Sequence, residues 1–282
     1  MEPRQRDAQL AAFARRRAEW ARLRGEKAEN LAEQYEKVAA LSGDSKALHL
    51  AQLHRRSAER HYASAALQEA YSRRALSWQR QGGDRPRFMT GVAEACGTPS
   101  AALSLHGADH DQLAVAASDE VSRTAQDLEF LLGEGPTWEA VTTDAPVSAC
   151  GIELSLRWPG YGPQLARVGL QTVTVIPMRA RGNCLGALAV FGTRADPLDT
   201  TALTTIADAL TASLLADGAD EDDLYGGIDH RAYVHQAVGI VAVRRGCSVE
   251  DALSLIRARA FADGGPLDTL ARRIVQGELS IE

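Results

Sequence analysis

Apolar residues recur at spacings of mostly three, four or seven through the first eighty positions, and this rhythm changes twice further along the chain. In the first stretch Leu10, Phe13, Trp20, Leu23, Leu31, Tyr35, Val38 and Leu41 form a stripe, a spacing that puts them on one face of a long helix. Ser42-Gly43-Asp44-Ser45 then supplies a turn and a helix start. Leu50, Leu53, Tyr62, Ala66, Leu67, Tyr71, Leu76 and Trp78 repeat the pattern on a second helix. No proline and only two glycines, Gly25 and Gly43, fall between Arg4 and Gln81. A stripe this narrow needs a partner, and an antiparallel hairpin within one chain or a bundle between chains would each provide one. The reading adopted is a helical dimerisation region over residues 1–84; packing of the pair on the next domain is the alternative. Gln81-Gly82-Gly83-Asp84-Arg85-Pro86 closes it.

From 85 to 216 the periods mix. Ala101 to His106 and Gln112 to Ala117 alternate over short runs joined by Gly107-Ala108-Asp109-His110-Asp111, which reads as a β-hairpin. Helical spacing follows through Val121, Leu128 and Leu131, until Gly133-Glu134-Gly135-Pro136 breaks it. Gln171 to Met178 and Leu185 to Phe191 are the strongest strands, with a turn at Arg181-Gly182-Asn183, and Leu198 to Leu215 is a closing helix. This order implies an α+β sensor-like domain with helices laid on an antiparallel sheet.

Residues 217–228, acidic and glycine-rich, read as an exposed linker. Beyond them, 229–282 reads as an independent three-helix unit. Ala232 to Arg245 carries Val234, Ala237, Val238, Ile240 and Val241 inward, with Gly246 as the left-handed residue after its end. Ser248 caps a second helix that buries Ala252, Leu253, Ile256 and Ala260. Gly264-Gly265 ends it, and Pro266 opens a third with Leu267, Leu270, Ala271 and Ile274 on its inner face. In so small a core the helices must approach closely, and Ala237, Gly239, Ala252, Ala260 and Ala271 permit that.

Charge divides these regions. The net charge of −6 over 282 residues resolves into +7 for residues 1–90 (18 basic, 11 acidic), −13 for 91–228 (6 and 19) and 0 for 229–282 (7 and 7). An acidic middle repels phosphate, so contact with nucleic acid must come from the ends, and a neutral tail must make it through local clustering of arginines and polar groups. At 45% hydrophobic content the chain can bury ordinary cores, but no run approaches the ~18 apolar residues of a membrane span. The start, MEPRQRDAQL, is too polar for a secretory signal, and the expected location is the cytoplasm. Cys96, Cys150, Cys184 and Cys247 lie far apart, with no zinc or disulfide spacing.

Two resemblances follow from particular runs. FLLGEGPTWEAV (Phe130 to Val141), RWPGYGP (Arg157 to Pro163) and VIPMRARGNCLGALAVF (Val175 to Phe191) resemble the GAF domains of actinobacterial regulators. Thr137 stands where such domains often have cysteine. QAVGIVAVRRGCSVEDALSLIRARA (Gln236 to Ala260) with LDTLARRIV (Leu267 to Val275) is similar to the ANTAR domain, with Val238 in place of a basic residue and Ala242 in place of methionine. Together they imply a GAF-ANTAR regulator whose tail binds paired hairpins in a nascent transcript and prevents termination. An unidentified small molecule would be the GAF input, a homodimer the working form, and neither cofactor nor catalysis is expected.

The expected RNA-binding residues are His235, Gln236, Ala237, Gly239, Arg244, Arg257 and Arg272. Arg244 and Arg257 match arginines typical of the resembling family; His235 and Gln236 offer base-edge contacts beside the apolar face of their helix. Two other readings fit the same sequence. One is a ligand-sensing dimeric scaffold that does not touch RNA. The other is a GAF-fold methionine sulfoxide reductase using Cys96, Cys150 and Cys184, whose flanks carry no lysine or histidine to lower a thiol pKa. His106 and His110 are separated by hairpin-forming residues and make no metal pair. Gly133-Glu134-Gly135-Pro136 lacks the lysine and hydroxyl of a phosphate loop.

Overall fold

The computed structural model describes residues 3–81, 88–107, 110–180, 182–196, 198–216, 229–263 and 267–281. In chain order the elements are α1 (Pro3–Ser42), α2 (Ser45–Gln81), α3 (Phe88–Ala95), β1 (Ser100–His106), β2 (Gln112–Ala117), α4 (Glu120–Leu132), α5 (Pro136–Thr143), β3 (Val147–Cys150), α6 (Ile152–Arg157), α7 (Tyr161–Arg167), β4 (Thr172–Ala180), β5 (Asn183–Gly192), α8 (Thr200–Ala216), β6 (Asp229–His230), α9 (Ala232–Arg245), α10 (Val249–Asp263) and α11 (Leu267–Val275). They form two compact units, Met1–Pro99 with Asp199–Gly226, and Ser100–Leu198 with Gly227–Glu282. The acidic linker expected at 217–228, the closing segment 82–87 and Gly264-Gly265-Pro266 lie outside the described residues.

In the first unit α1 and α2 pack against each other within the one chain. Their seam is built of alanine. Ala11, Ala14, Ala18, Ala21, Gly25, Ala28 and Ala32 alternate steps of three and four residues, all buried, and face Ala47, Ala51, Ala58 and Ala65 of α2. A Cβ on Gly25 would lie 2.6 Å from the Tyr62 ring, whose hydroxyl donates to Glu29 at 2.7 Å. The expected bulky stripe does not form this seam. Phe13, Trp20, Leu23, Val38, Leu41, Leu50 and Leu53 are exposed, Trp20 by 65% and Leu41 by 90%. The physical reason is closeness: with only methyl groups, and a hydrogen at Gly25, along the seam the backbones approach until dispersion contacts replace side-chain bulk, and larger residues there would hold them apart. Farther along α2, Leu67 and Tyr71 are buried, and the Tyr71 ring meets Phe88 of α3 edge-on at 5.8 Å.

The second unit contains an antiparallel sheet in the order β3-β4-β5-β1-β2, extended by the two-residue β6. The expected hairpin pairs Ala102 with Ala117 through Leu105 with Ala114, and the expected long strands pair Thr172 with Gly192 through Ala180 with Asn183. The apolar core between the sheet and its helices draws on Ala102, Ala125, Ala140, Trp158, Tyr161, Val173 and Phe191. α5, α6, α7 and β3 were not expected; at eight, six, seven and four residues they are too short to show a period.

The tail forms its three expected helices. Gly246 takes φ 63° and its N–H donates to Ala242 O; the Asp251 N–H donates to Ser248 Oγ at 3.0 Å. It does not stand as an independent unit. β6 pairs with β2 through Ala114 with His230 and Val115 with Asp229, and Phe130 of α4 joins the tail's core beside Val234, Ile256 and Leu270.

Candidate nucleic-acid interface

α9 divides its residues between core and surface by helical period. Val234, Ala237, Val238 and Val241 are buried, while His235, Gln236, Gly239 and Val243 emerge together on the outer side, Val243 by 84%. Ala237, expected at the RNA surface, is fully buried in the tail's core. Gly239 was expected to permit close packing, yet a Cβ there would meet nothing within 4 Å. It leaves a bare stretch of helix between Gln236 and Val243, where the backbone is open to a ligand. His235 Nε2 is 3.3 Å from the Gln112 carbonyl oxygen of β2, so the imidazole is tied to the sheet edge.

The three arginines differ. Arg244 is exposed in the last turn of α9, where a cation also complements the helix dipole. Arg272 on α11 is exposed, pairs with Asp268 one turn earlier at 2.8 Å and lies over the Tyr233 ring of α9 at 4.5 Å. Arg257 of α10 is half-buried. Its guanidinium lies 4.8 Å from the centre of the Phe130 ring, its Nε has no hydrogen-bond partner among the described residues, and burial pulls its pKa below the ordinary value.

Phe130 carries a second cation, Arg231, at 4.9 Å. Arg231 is 1% exposed and begins a chain of polar contacts leading into the sensor domain. Its Nη2 donates to Asp127 at 2.6 Å and its Nε to Gln112 Oε1 at 3.2 Å. Gln112 Nε2 donates to Gln126 Oε1, and Gln126 Nε2 to Thr137 Oγ1, both at 3.1 Å. Thr137 in turn hydrogen-bonds Glu129, which also accepts the Trp138 N–H at 2.8 Å. Glu129 is buried, and that burial pushes its carboxyl up to about 7. Its Oε2 and the hydroxyl of buried Tyr161 have no partner among the described residues. Sequence reading missed this chain. Its members are spread from 112 to 231 and nothing in their spacing connects them, although Thr137 at the variable position after Gly133-Glu134-Gly135-Pro136 was noticed.

Cys150 and Cys184 do not come together. Cys150 pairs with Thr172 at one end of β4 and Cys184 with Arg179 at the other, seven residues apart and so separated by roughly 23 Å along the strand. Burial pushes the Cys96 thiol up to about 12 and raises that of Cys184. These are poor nucleophiles. His106 Nδ1 lies 2.9 Å from the His110 carbonyl oxygen across the β1–β2 turn, a structural contact. No helix among the described residues is long and apolar enough to cross a membrane.

Comparison with known proteins assigns the two parts. The GAF domain family matches residues 86–214 and the ANTAR domain family residues 222–275. No curated protein matches the chain. Among solved structures it is similar to the "domain of putative two-component sensor histidine kinase protein" from Sinorhizobium meliloti 1021, at 17% identity over 47% of this chain and 88% of that one, with a TM-score of 0.37. It is also similar to the "GAF domain region of putative membrane protein" from Geobacter sulfurreducens PCA, at 15% identity over 51% and 97% with the same TM-score. GAF is a sensor domain and ANTAR an RNA-binding antitermination domain, a regulatory combination. The chain therefore has the GAF-ANTAR architecture, a sensor domain followed by a C-terminal RNA-binding domain.

Proposed function

We propose that this chain is a sensor-coupled regulator whose tail holds paired hairpins of a nascent transcript and so prevents transcription termination in the cytoplasm. The observation that carries the reading is the outer face of α9, where Gln236, Gly239 and Val243 lie open beside the exposed Arg244 at the helix end. RNA loops offer unstacked bases and 2′-hydroxyls, which a bare helix face with an amide and a guanidinium suits better than bulk charge does. The test is capture of cellular RNA on the full-length protein followed by sequencing. Enrichment of leader transcripts with two closely spaced hairpins is expected; no enrichment would leave a ligand-sensing scaffold as the function.

Regulation follows from the docked tail. Arg257 is expected to contact RNA, and in this arrangement it is stacked on Phe130 of the sensor domain. The polar chain from Arg231 to Glu129 ties the same contact to the sensor's interior, where Glu129 Oε2 and the Tyr161 hydroxyl are the groups a small-molecule input would address. Such an input would loosen Arg231, undock the tail and release Arg257. The working form is a homodimer joined at the tip of the α1–α2 hairpin, where Val38, Leu41, Leu48, Leu50 and Leu53 are exposed.

A further inference from the structure

We propose that a groove on the helical unit, bounded by the first half of α1, the middle of α2 and the end of α8, is a binding site for a nucleotide unit, a heterocyclic base bearing phosphate. The groove has a volume of about 540 Å³, within the range of small-molecule sites, and no carboxylate among the described residues lines it. Several arginines elsewhere on the hairpin have acidic partners. Arg22 pairs with Glu69, Arg55 with Glu36, and Arg73 and Arg74 with Glu94. In the groove, Arg24 and Arg60 have no acidic partner among the described residues; burial, and after it the charges of these two arginines, lowers the pKa of His61 below its ordinary value. Like charges held together without a counter-charge repel one another, so an anion placed among them is bound.

Phosphate alone does not account for the rest of the lining. Phe13 and Trp20 present exposed rings to the same space, and the guanidinium groups of Arg16 and Arg17 lie 5.9 and 5.4 Å from the centre of the Phe13 ring. Rings interleaved with arginines are how proteins stack a base while neutralising its phosphate. Also in the lining is Gln68, 3% exposed, whose Oε1 has no hydrogen-bond partner among the described residues. A buried amide oxygen in that position fits the exocyclic amine or ring N–H of a base. Base and phosphate arrive either as a free nucleotide or as part of a single RNA strand, and the groove's chemistry is the same for both.

The experiment is equilibrium titration of the full chain with ATP, with GTP and with a single-stranded RNA hexamer, read by calorimetry and by tryptophan fluorescence, to which Trp20 is one of four contributors. Saturable binding is expected, weakened at least tenfold by Arg24→Gln combined with Arg60→Gln and separately by Trp20→Ala. All three positions are solvent-facing, and circular dichroism checks the fold. Arg56→Gln, at an exposed arginine of α2 outside the groove, should leave this binding unchanged, which separates the groove from the general positive charge of the hairpin. Tighter binding of the hexamer, sensitive to the same variants, assigns the groove to RNA; saturation by mononucleotides alone assigns it to a free ligand. Absence of saturable binding up to millimolar concentration, or binding that the groove variants leave intact, overturns the proposal.

Discussion

Glu129 and the three tail arginines show what single side chains contribute. The Glu129 carboxyl is raised from 4.5 to about 7 because burial disfavours its charge more than the Thr137 and Trp138 contacts favour it. A carboxyl raised in the folded state adds stability that is fully present below about pH 4.5 and is lost as pH rises through about 7. Between pH 5 and pH 8 the parent protein should therefore lose roughly 2 to 3 kcal/mol of unfolding free energy that Glu129→Gln does not lose, measured by denaturant titration at each pH. Equal slopes for the two would rule out the buried, shifted carboxyl. For RNA, Arg244→Ala and Arg272→Ala are tested by titrating a two-hairpin RNA at several salt concentrations. A phosphate contact flattens the salt slope by about one; a base contact costs ~1 to 3 kcal/mol and relaxes discrimination between loops. If both variants bind like the parent, the contacts belong to Gln236, His235 and the backbone at Gly239.

Among the elements, the helices and strands long enough to repeat their pattern were legible, and the way they pack was only partly so. The three tail helices, the β1–β2 hairpin, β4, β5 and α8 all lie where periodicity and turn residues put them. The α1–α2 seam shows the limit. A period identifies a stripe, but the chain holds two stripes on different faces, one of large residues and one of alanines, and only the distance between the helices selects the second. Ala65→Leu, at a position 2% exposed, should cost about 1 to 3 kcal/mol by forcing the helices apart, whereas Trp20→Ala should change stability by less than about 0.5 kcal/mol. Thermal and denaturant unfolding check both, and the opposite ranking would restore the bulky stripe as the interface.

At the scale of the molecule, the predictions concern the docked tail and the second subunit. Asp127→Asn weakens the hold on Arg231 without touching the α9 face. Limited proteolysis should then cut the tail faster, and the two-hairpin RNA should bind more tightly as Arg257 leaves Phe130. Unchanged cleavage and affinity would remove the gating model. Leu41→Glu should convert a dimer to a monomer at low micromolar concentration by light scattering, while an unaltered mass would place the subunit contact elsewhere or show that there is none.

What the sequence by itself determined was the kind of each region: a proline-free helical stretch, a mixed α+β domain, a three-helix tail, and the runs that resemble GAF and ANTAR domains. These features are local, written in spacing, caps and turn residues that act within a few positions of one another. The tertiary structure decided which stripe is buried, that Ala237 is core while Gly239 is bare, and that Arg257 is stacked on Phe130. It also assembled Gln112, Gln126, Thr137 and Arg231 into one polar chain and gathered Arg24, Arg60 and Gln68 around one groove. Such groupings join residues as far as 119 positions apart, and chain folding alone brings them within the few ångströms over which hydrogen bonds and ring contacts act.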